Sequence, residues 1–382
     1  MSATATRQIA VSGSAAGEDA VALAVSEAVS GVQEPGAVLF FPTCEIGDAA
    51  AQAADAAGGC AVAGMTGSAT LTEAGPRLTG CAAMALDRSL PASVAVSEHA
   101  SDDLAAAAFT ATSTALAGLP AEMPRRLVLL FADTASGDQA DVVAGAYRAA
   151  GPRVPLAGGG AGGERPAQFA DGRALRDSVV AVAIGSQRPV GLGIADGCRT
   201  VGSPAIVTKA VGRTVLELDG RPAERVYLEK LAQLGSPLTD EEFERFAVLH
   251  PLAQPELSGD CRLRHVLGRA RDGGLYCATA VPSHAAVEFT SQDPERVVRS
   301  SWDAVSGAVE PLAGEPATAA IVFDCAGRKR VLGDELRREA AAIRSSFGTT
   351  PSIAGVYTHG EIGRARGAKG DRNHALVVVA LA

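Results

Sequence analysis

One order of elements, met three times, is what most limits how this chain can fold. Reading for the spacing of apolar residues, copy one runs from a short strand at Ile9–Val11 through a helix from Glu18 to Val29. The strand "AVLFFP" (37–42), a helix from Asp48 to Ala57, the strand "CAVAG" (60–64) and "CAAMALD" (81–87) follow. Copy two gives "SVAVSEH" (93–99), a helix over 102–117, "LVLLFAD" (127–133), a helix over 138–150, "VPLAG" (154–158) and "SVVAVAIG" (178–185). Copy three gives "AAVEFTS" (285–291), a helix over 294–309, "AAIVFDC" (319–325), a helix over 334–347, "SIAG" (352–355) and "HALVVVALA" (374–382). The middle strands are continuous apolar runs, the pattern of strands covered on both faces. Asp293-Pro294 supplies an N-cap and a proline for the first turn of its helix.

The reading is α/β, with α+β as the alternative: repeated β-α-β-α-β-β units forming layered sheets flanked by helices. In each copy the third strand ends in Ala-Gly, at 63–64, 157–158 and 354–355, and a glycine-rich segment follows. Three similar loops are therefore expected at equivalent strand ends, where ligands of α/β sheets commonly sit; the competing reading is a turn that needs positive φ. Between copies two and three, 189–202 and 205–220 read as strands with turns and 221–234 as a helix. Residues 239–249 have polar helical spacing, and 261–281 is a hairpin turning at Asp272-Gly273-Gly274. A boundary near Gly220 divides two intimately packed domains, 1–219 and 220–382.

Composition narrows the function. A net charge of −9 and 4% aromatic residues argue against a nucleic-acid surface. The seven cysteines, at 44, 60, 81, 198, 261, 277 and 325, form no C-x-x-C pair, which fits reduced thiols in a cytoplasmic protein. Residues 1–20 lack the apolar core of a signal peptide, and "ALVVVALA" is too short to span a bilayer. The expectation is a cytoplasmic chain with no membrane and no nucleic-acid partner. Gly158–Gly163 satisfies G-x-G-x-x-G, but Pro166 and Asp171-Gly172 break the helix that a dinucleotide site requires. "GRARGAKGD" fails as a phosphate loop, and the six histidines show no metal-binding spacing, so no metal site is expected.

Candidate binding residues gather in copy three, in "FDCAGRKR" and "IAGVYTHGEIG". Cys325 reads as a buried strand cap, or as a nucleophile with His359 or Glu361 as base. Arg328 offers a planar fork for a carboxylate, or is one solvated member of the run Arg328-Lys329-Arg330. Glu361 and Tyr357 could meet an amine or hydroxyl, and His359 is the group there able to change charge near neutral pH. Gly360 frames this loop, and backbone amides of the Gly158–Gly163 loop, Gly159 and Gly160 among them, could complete a cradle.

At these residues the chain resembles the FIST family, a two-part sensory module of signal-transduction proteins. "LVLLFADTASGD", "VPLAGGGAGG" and "SVVAVAIG" resemble its N-terminal domain, and "VTKAVGRTVLELDGRPAERVYLEKL" the junction between its domains. The stretch from "FDCAGRKRVLGDELRREAAAIRSSFGTTPSIAGVYTHGEIG" to "NHALVVVAL" resembles its C-terminal domain. The likeness covers nearly the whole sequence, so 1–219 reads as the N-terminal and 220–382 as the C-terminal FIST domain. The resemblance implies a non-enzymatic sensor of a small polar ligand, with amino acids as candidates and no cofactor. Its alternative is a haem-bound nitric-oxide sensor with His359 as axial ligand; there is no C-x-x-C-H for covalent attachment. His359 stands where the family's "YTYGE"-like loop commonly has an aromatic residue. With no residues left for an output domain, the signal is expected to pass to a separate partner protein.

Overall fold

The computed structural model describes residues 8–43, 48–235, 239–256 and 261–382, and Cys44 lies outside them. The threefold pattern is realised as three six-stranded sheets of identical plan. In the first, strands Ala10–Ala15, Cys81–Asp87, Pro35–Pro42 and Ala61–Met65 lie side by side in that order. The last two are parallel and the other neighbours antiparallel. The second sheet repeats this with Ala92–Glu98, Ser178–Ser186, Arg125–Ala132 and Leu156–Gly160. The third uses Val190–Ala195, Leu376–Leu381, Ala319–Cys325 and Ser352–Thr358. The α/β reading and the repeated unit hold.

The first strand of copy three differs from expectation. Ala286–Ser291 pairs with Arg199–Val211 in a fourth, antiparallel sheet, and Val190–Ala195 takes its place in the third unit. Residues 199–291 are thus an insertion between the first strand and the first helix of that unit. "AAVEFTS" matched the repeat only because a half-buried strand followed by a capped helix looks alike in either setting.

Each sheet completes itself with a hairpin from another unit. Gln168–Ala170 of copy two pairs with Ala61–Met65, Glu361–Arg364 of copy three with Leu156–Gly160, and Thr70–Thr72 of copy one with Ser352–Thr358. The exchange runs in a closed ring.

Alternation along the middle strands explains the layers. Leu39 and Phe41, Leu127, Leu129 and Phe131, and Ile321 and Phe323 point into one shared core. Their neighbours Val38 and Phe40, Val128 and Leu130, and Ala320 and Val322 pack instead under the helices. At the centre Phe41, Phe131 and Phe323 meet, one from each unit, with ring centroids 5.9, 6.0 and 6.2 Å apart. The Ala-Gly dipeptides lie inside strands rather than at their ends. A Cβ on Gly158 would stand 2.0 Å from the Leu130 carbonyl oxygen of the parallel neighbour, and one on Gly64 would stand 1.9 Å from that of Phe40. The shared glycines are therefore demanded by close approach of strands. The inserted sheet is tied on by buried charge, with Arg262 and Arg264 at 2.7 and 2.8 Å from Asp371. Among the described residues no helix is long and apolar enough to cross a membrane.

Truncating the central trio tests this plan. Phe323→Ala should cost about 3–5 kcal/mol of stability by urea titration, whereas truncating the exposed Trp302 should cost below about 0.5 kcal/mol.

Candidate functional site

The loops that follow the third strands interlock by backbone hydrogen bonds. Gly162 N donates to Thr66 O, Ser68 N to Tyr357 O, and Gly160 N to Gly360 O, at 2.9 to 3.0 Å. With Ala161 N also donating to Ala132 O, these amides are occupied by the protein itself. The expected Gly158–Gly163 cradle thus does not form: Gly159 and Gly160 are strand residues, and Gly159 pairs with Glu361.

Beside this knot lies a cavity of about 350 Å³. Unit two contributes Asp133, Thr134, Gln139, Leu104 and Val142, unit three contributes Cys325, Gly327, Arg330 and Thr358–Gly360, and the inserted sheet contributes Arg213, His265, Leu267 and Thr279. Of the residues singled out in the sequence, Cys325, His359, Gly360 and Gly160 line it. Glu361 lies one layer behind. Arg328, Tyr357 and Gly159 do not line it.

Arg328 has no capacity left for a ligand. It is fully buried, and Nε donates to Asp324 Oδ1 at 3.0 Å. Nη1 donates to Asp196 O and Ser300 Oγ, and Nη2 to Val297 O and to Glu339. Burial opposes its charge, but Glu339 and Asp324 outweigh that and raise its pKa. Burial, then the neighbouring Glu339, pushes the Asp324 carboxyl well above the usual range, so Asp324 tends to keep its proton. Tyr357 is fully buried beside the same group, its pKa raised first by burial and then by Asp324. Sequence alone could not separate a ligand-facing arginine from one whose donors are all spent inside.

Cys325 ends its strand and caps the helix Ala326–Leu332. Its Sγ accepts from Gly327 N at 3.3 Å and from His374 N at 3.2 Å. Glu361 is fully buried, with Oε1 accepting from Thr358 Oγ1 at 2.9 Å and Oε2 from Ala375 N at 3.1 Å. Burial raises its pKa to about 8 against the pull of those bonds and of the Arg328 charge. Burial and then Glu361 hold the Cys325 thiol well above its ordinary value. His359 is exposed at the rim; packing on its inner side and the charge of Lys329 lower its pKa. Among the described residues no cluster of three or more His, Cys, Asp or Glu is placed to hold a metal ion.

The insertion brings residues that periodicity could not place here. His265 Nδ1 meets His374 Nε2 at 2.7 Å. Burial, then Arg330, takes the His265 pKa down to about 4, and burial, then His265, lowers that of His374, so both rings are neutral near pH 7. His374 Nδ1 is buried without a hydrogen-bond partner. A bare Nδ1 costs less there than an unpaired N–H, so His374 donates through Nε2 and His265 keeps a proton on its own Nε2. Arg213 stacks on Tyr276, 5.1 Å from the ring centroid, and donates to Ala278 O. Among the described residues neither Arg213 nor Arg330 is ion-paired with a carboxylate. Asp133, the acid on the wall, spends its oxygens on the backbone N–H groups of Ala135 and Asp177.

Comparison with known proteins places the chain among sensory domains that bind small ligands. The FIST N domain model matches residues 36–221 and the FIST C domain model residues 223–364, and the chain belongs to the FIST family. An uncharacterized protein of Mycobacterium tuberculosis is 30% identical over 208 residues, 52% of each chain, and one of Mycobacterium bovis is 31% identical over 206 residues, 51% of each. An uncharacterized protein of Methanocaldococcus jannaschii is 27% identical over 202 residues, 49% of this chain and 38% of that one. The aligned stretch spans about half the length of the mycobacterial relatives.

Two outcomes follow from the buried charges. Arg328→Met should destabilise by about 3–5 kcal/mol in urea, because Glu339 loses its counter-charge and Asp324 its hydrogen-bond donor. The folded protein holds the Glu361 proton up to about pH 8, whereas the unfolded chain releases it near 4.5. Between those values the folded state binds more protons, so this group's contribution is full below pH 4.5 and is lost as pH rises through 8. The melting temperature should fall from pH 6 to pH 8.5, and fall less in Glu361→Gln.

Proposed function

We propose that this chain is a sensor whose cavity binds a small anionic ligand, with amino acids and related carboxylates as the leading chemical class. The observation that carries it is the pair Arg213 and Arg330 on the cavity wall, both without a carboxylate partner among the described residues. A guanidinium donates in a planar fork that matches a carboxylate. The neutral His265 adds an N–H donor, and Leu104, Val142 and Leu267 offer apolar contact to the body of the ligand. Arg328, expected to meet the carboxylate, is turned inward, whereas Arg330, two positions further along the same short helix, lines the cavity and takes that role in this reading.

Binding would couple to output because the walls come from separate parts of the chain. A ligand held by Arg213 of the inserted sheet and Arg330 of unit three favours one seating of that sheet on the core. We propose further that this seating is read by a separate partner protein in the cytoplasm. Cys60, Cys81, Cys198, Cys277 and Cys325 are unbridged thiols, which fits a reducing compartment.

Thermal-shift screening with amino acids and small mono- and dicarboxylates tests the reading, since a ligand that binds only the folded state raises the melting temperature. Arg330→Ala and Arg213→Ala should each weaken a hit by about 10-fold or more, the scale of a charged hydrogen bond. If no carboxylate shifts the transition, or both variants bind as the parent does, the reading is wrong.

A further inference from the structure

We propose that the ligand of this cavity is a short dicarboxylate without an amino group, one carboxylate held by Arg213 of the inserted sheet and the other by Arg330 of unit three. The proposal rests on the anion reading above and narrows it to a ligand with two negative charges and no positive one.

The wall is rich in donors. A guanidinium carries five N–H groups in a planar fork. Arg213 gives one bond to the protein, from Nη1 to Ala278 O at 3.4 Å, and among the described residues neither Arg213 nor Arg330 meets a carboxylate. His265 ties the two together in space. Its backbone oxygen accepts from Ala278 N at 2.9 Å, beside the Arg213 contact, and after burial the charge of Arg330 is what most lowers its pKa. Neutral, with Nδ1 turned to His374, it keeps a third donor on Nε2.

Acceptors on the same wall are already in use. Asp133, the acid there, is one negative charge against two guanidinium charges. Its Oδ1 accepts from Ala135 N at 2.9 Å and its Oδ2 from Asp177 N at 2.8 Å. Asn373 Oδ1 accepts from His265 N at 3.2 Å and from Thr279 Oγ1 at 3.4 Å, and Thr279 Oγ1 accepts from Arg264 Nη1 at 3.1 Å. The side-chain acceptors that remain open among the described residues are neutral, Gln139 Oε1 and the Thr134 hydroxyl among them.

This imbalance decides between ligand classes. An α-amino group brings a third positive charge to the wall and meets no carboxylate oxygen still without a bond, and a charge out of water is costly unless it is paired. A second carboxylate instead fills the second fork in the bidentate manner that suits a guanidinium. A monocarboxylate fills one fork and leaves the other arginine as it was. The volume of about 350 Å³ lies at the small end of ligand pockets, about 300–1,000 Å³, and Leu104, Val142 and Leu267 offer apolar contact to a short methylene body.

Calorimetric titration of the whole chain tests this with succinate and glutarate. Each is compared with its half-amide, succinamate or glutaramate, and with its α-amino derivative, L-aspartate or L-glutamate. The better dicarboxylate should bind at least about 10-fold tighter than its half-amide and than its amino derivative, the scale of one charged hydrogen bond. In Arg213→Gln and in Arg330→Gln the margin over the half-amide should shrink below about 3-fold, because one fork is gone. Equal binding of dicarboxylate and half-amide by the parent chain, or equal or tighter binding of the amino acid, overturns the proposal whether or not the variants fold. A margin over the half-amide that both folded variants keep also overturns it. In each of these cases a half-amide or amino acid that binds the parent, and binds the arginine variants about 10-fold more weakly, leaves the anion reading standing. If none of these compounds binds, the proposal fails, and the anion reading fails with it only if the wider carboxylate screen is also empty.

Discussion

Three phenylalanines in mutual contact set the plan of this molecule. Phe41, Phe131 and Phe323 come from the same position of three equivalent strands, and they can meet only if the three sheets turn one face each toward a common axis. Once that face is committed, the alternate residues must find cover elsewhere, and the helices supply it on the outside. The parallel strand pairs then carry their following loops to one end of the axis, where they bond to one another. A threefold frame by itself would give three similar loops. The difference is made by the insertion at 199–291, which brings Arg213 and His265 over one of them and encloses the cavity there.

Much of this was legible in the sequence, because period-2 alternation and continuous apolar runs report the local structure directly. The three units, two helices of each and the kinship of the Ala-Gly dipeptides could be read, but the short helix Ala326–Leu332 that carries Arg328 and Arg330 could not. The first strand of unit three could not, since "PVGLGIA" and "AAVEFTS" both look like strands and only pairing distinguishes them. Within the site, Cys325, His359 and Gly360 were found from their glycine-framed loops. Arg213 and His265 were not, because they sit in ordinary strand or turn sequence and matter only through where the insertion docks. Arg328 was misread for the opposite reason. Its sequence surroundings look like a solvated basic run, whereas its partners arrive from 196, 297, 300 and 339.

The charges thus divide into two sets with different work. Arg328, Arg262 and Arg264 meet carboxylates out of water and tie elements together, so their value lies in what would be left unpaired without them. Arg213 and Arg330 meet none among the described residues and line the cavity instead. Two positions on one short helix, 328 and 330, separated by a single residue, fall on opposite sides of that division.

The ring of exchanged hairpins also bears on how such a chain is made. Glu73, beside the first hairpin, accepts a hydrogen bond from Ile353 N, a partner 280 positions away. During synthesis from the N-terminus, Thr70–Thr72 therefore emerges long before the strand it pairs with, and Ala61–Met65 likewise waits for Gln168–Ala170. Each unit spends part of its time on the ribosome with an open strand edge, and the third sheet is closed only after residue 358 has appeared. Such open edges invite pairing with the wrong chain. The same circularity that makes the finished molecule self-contained leaves the nascent one dependent on being shielded until its last third is present.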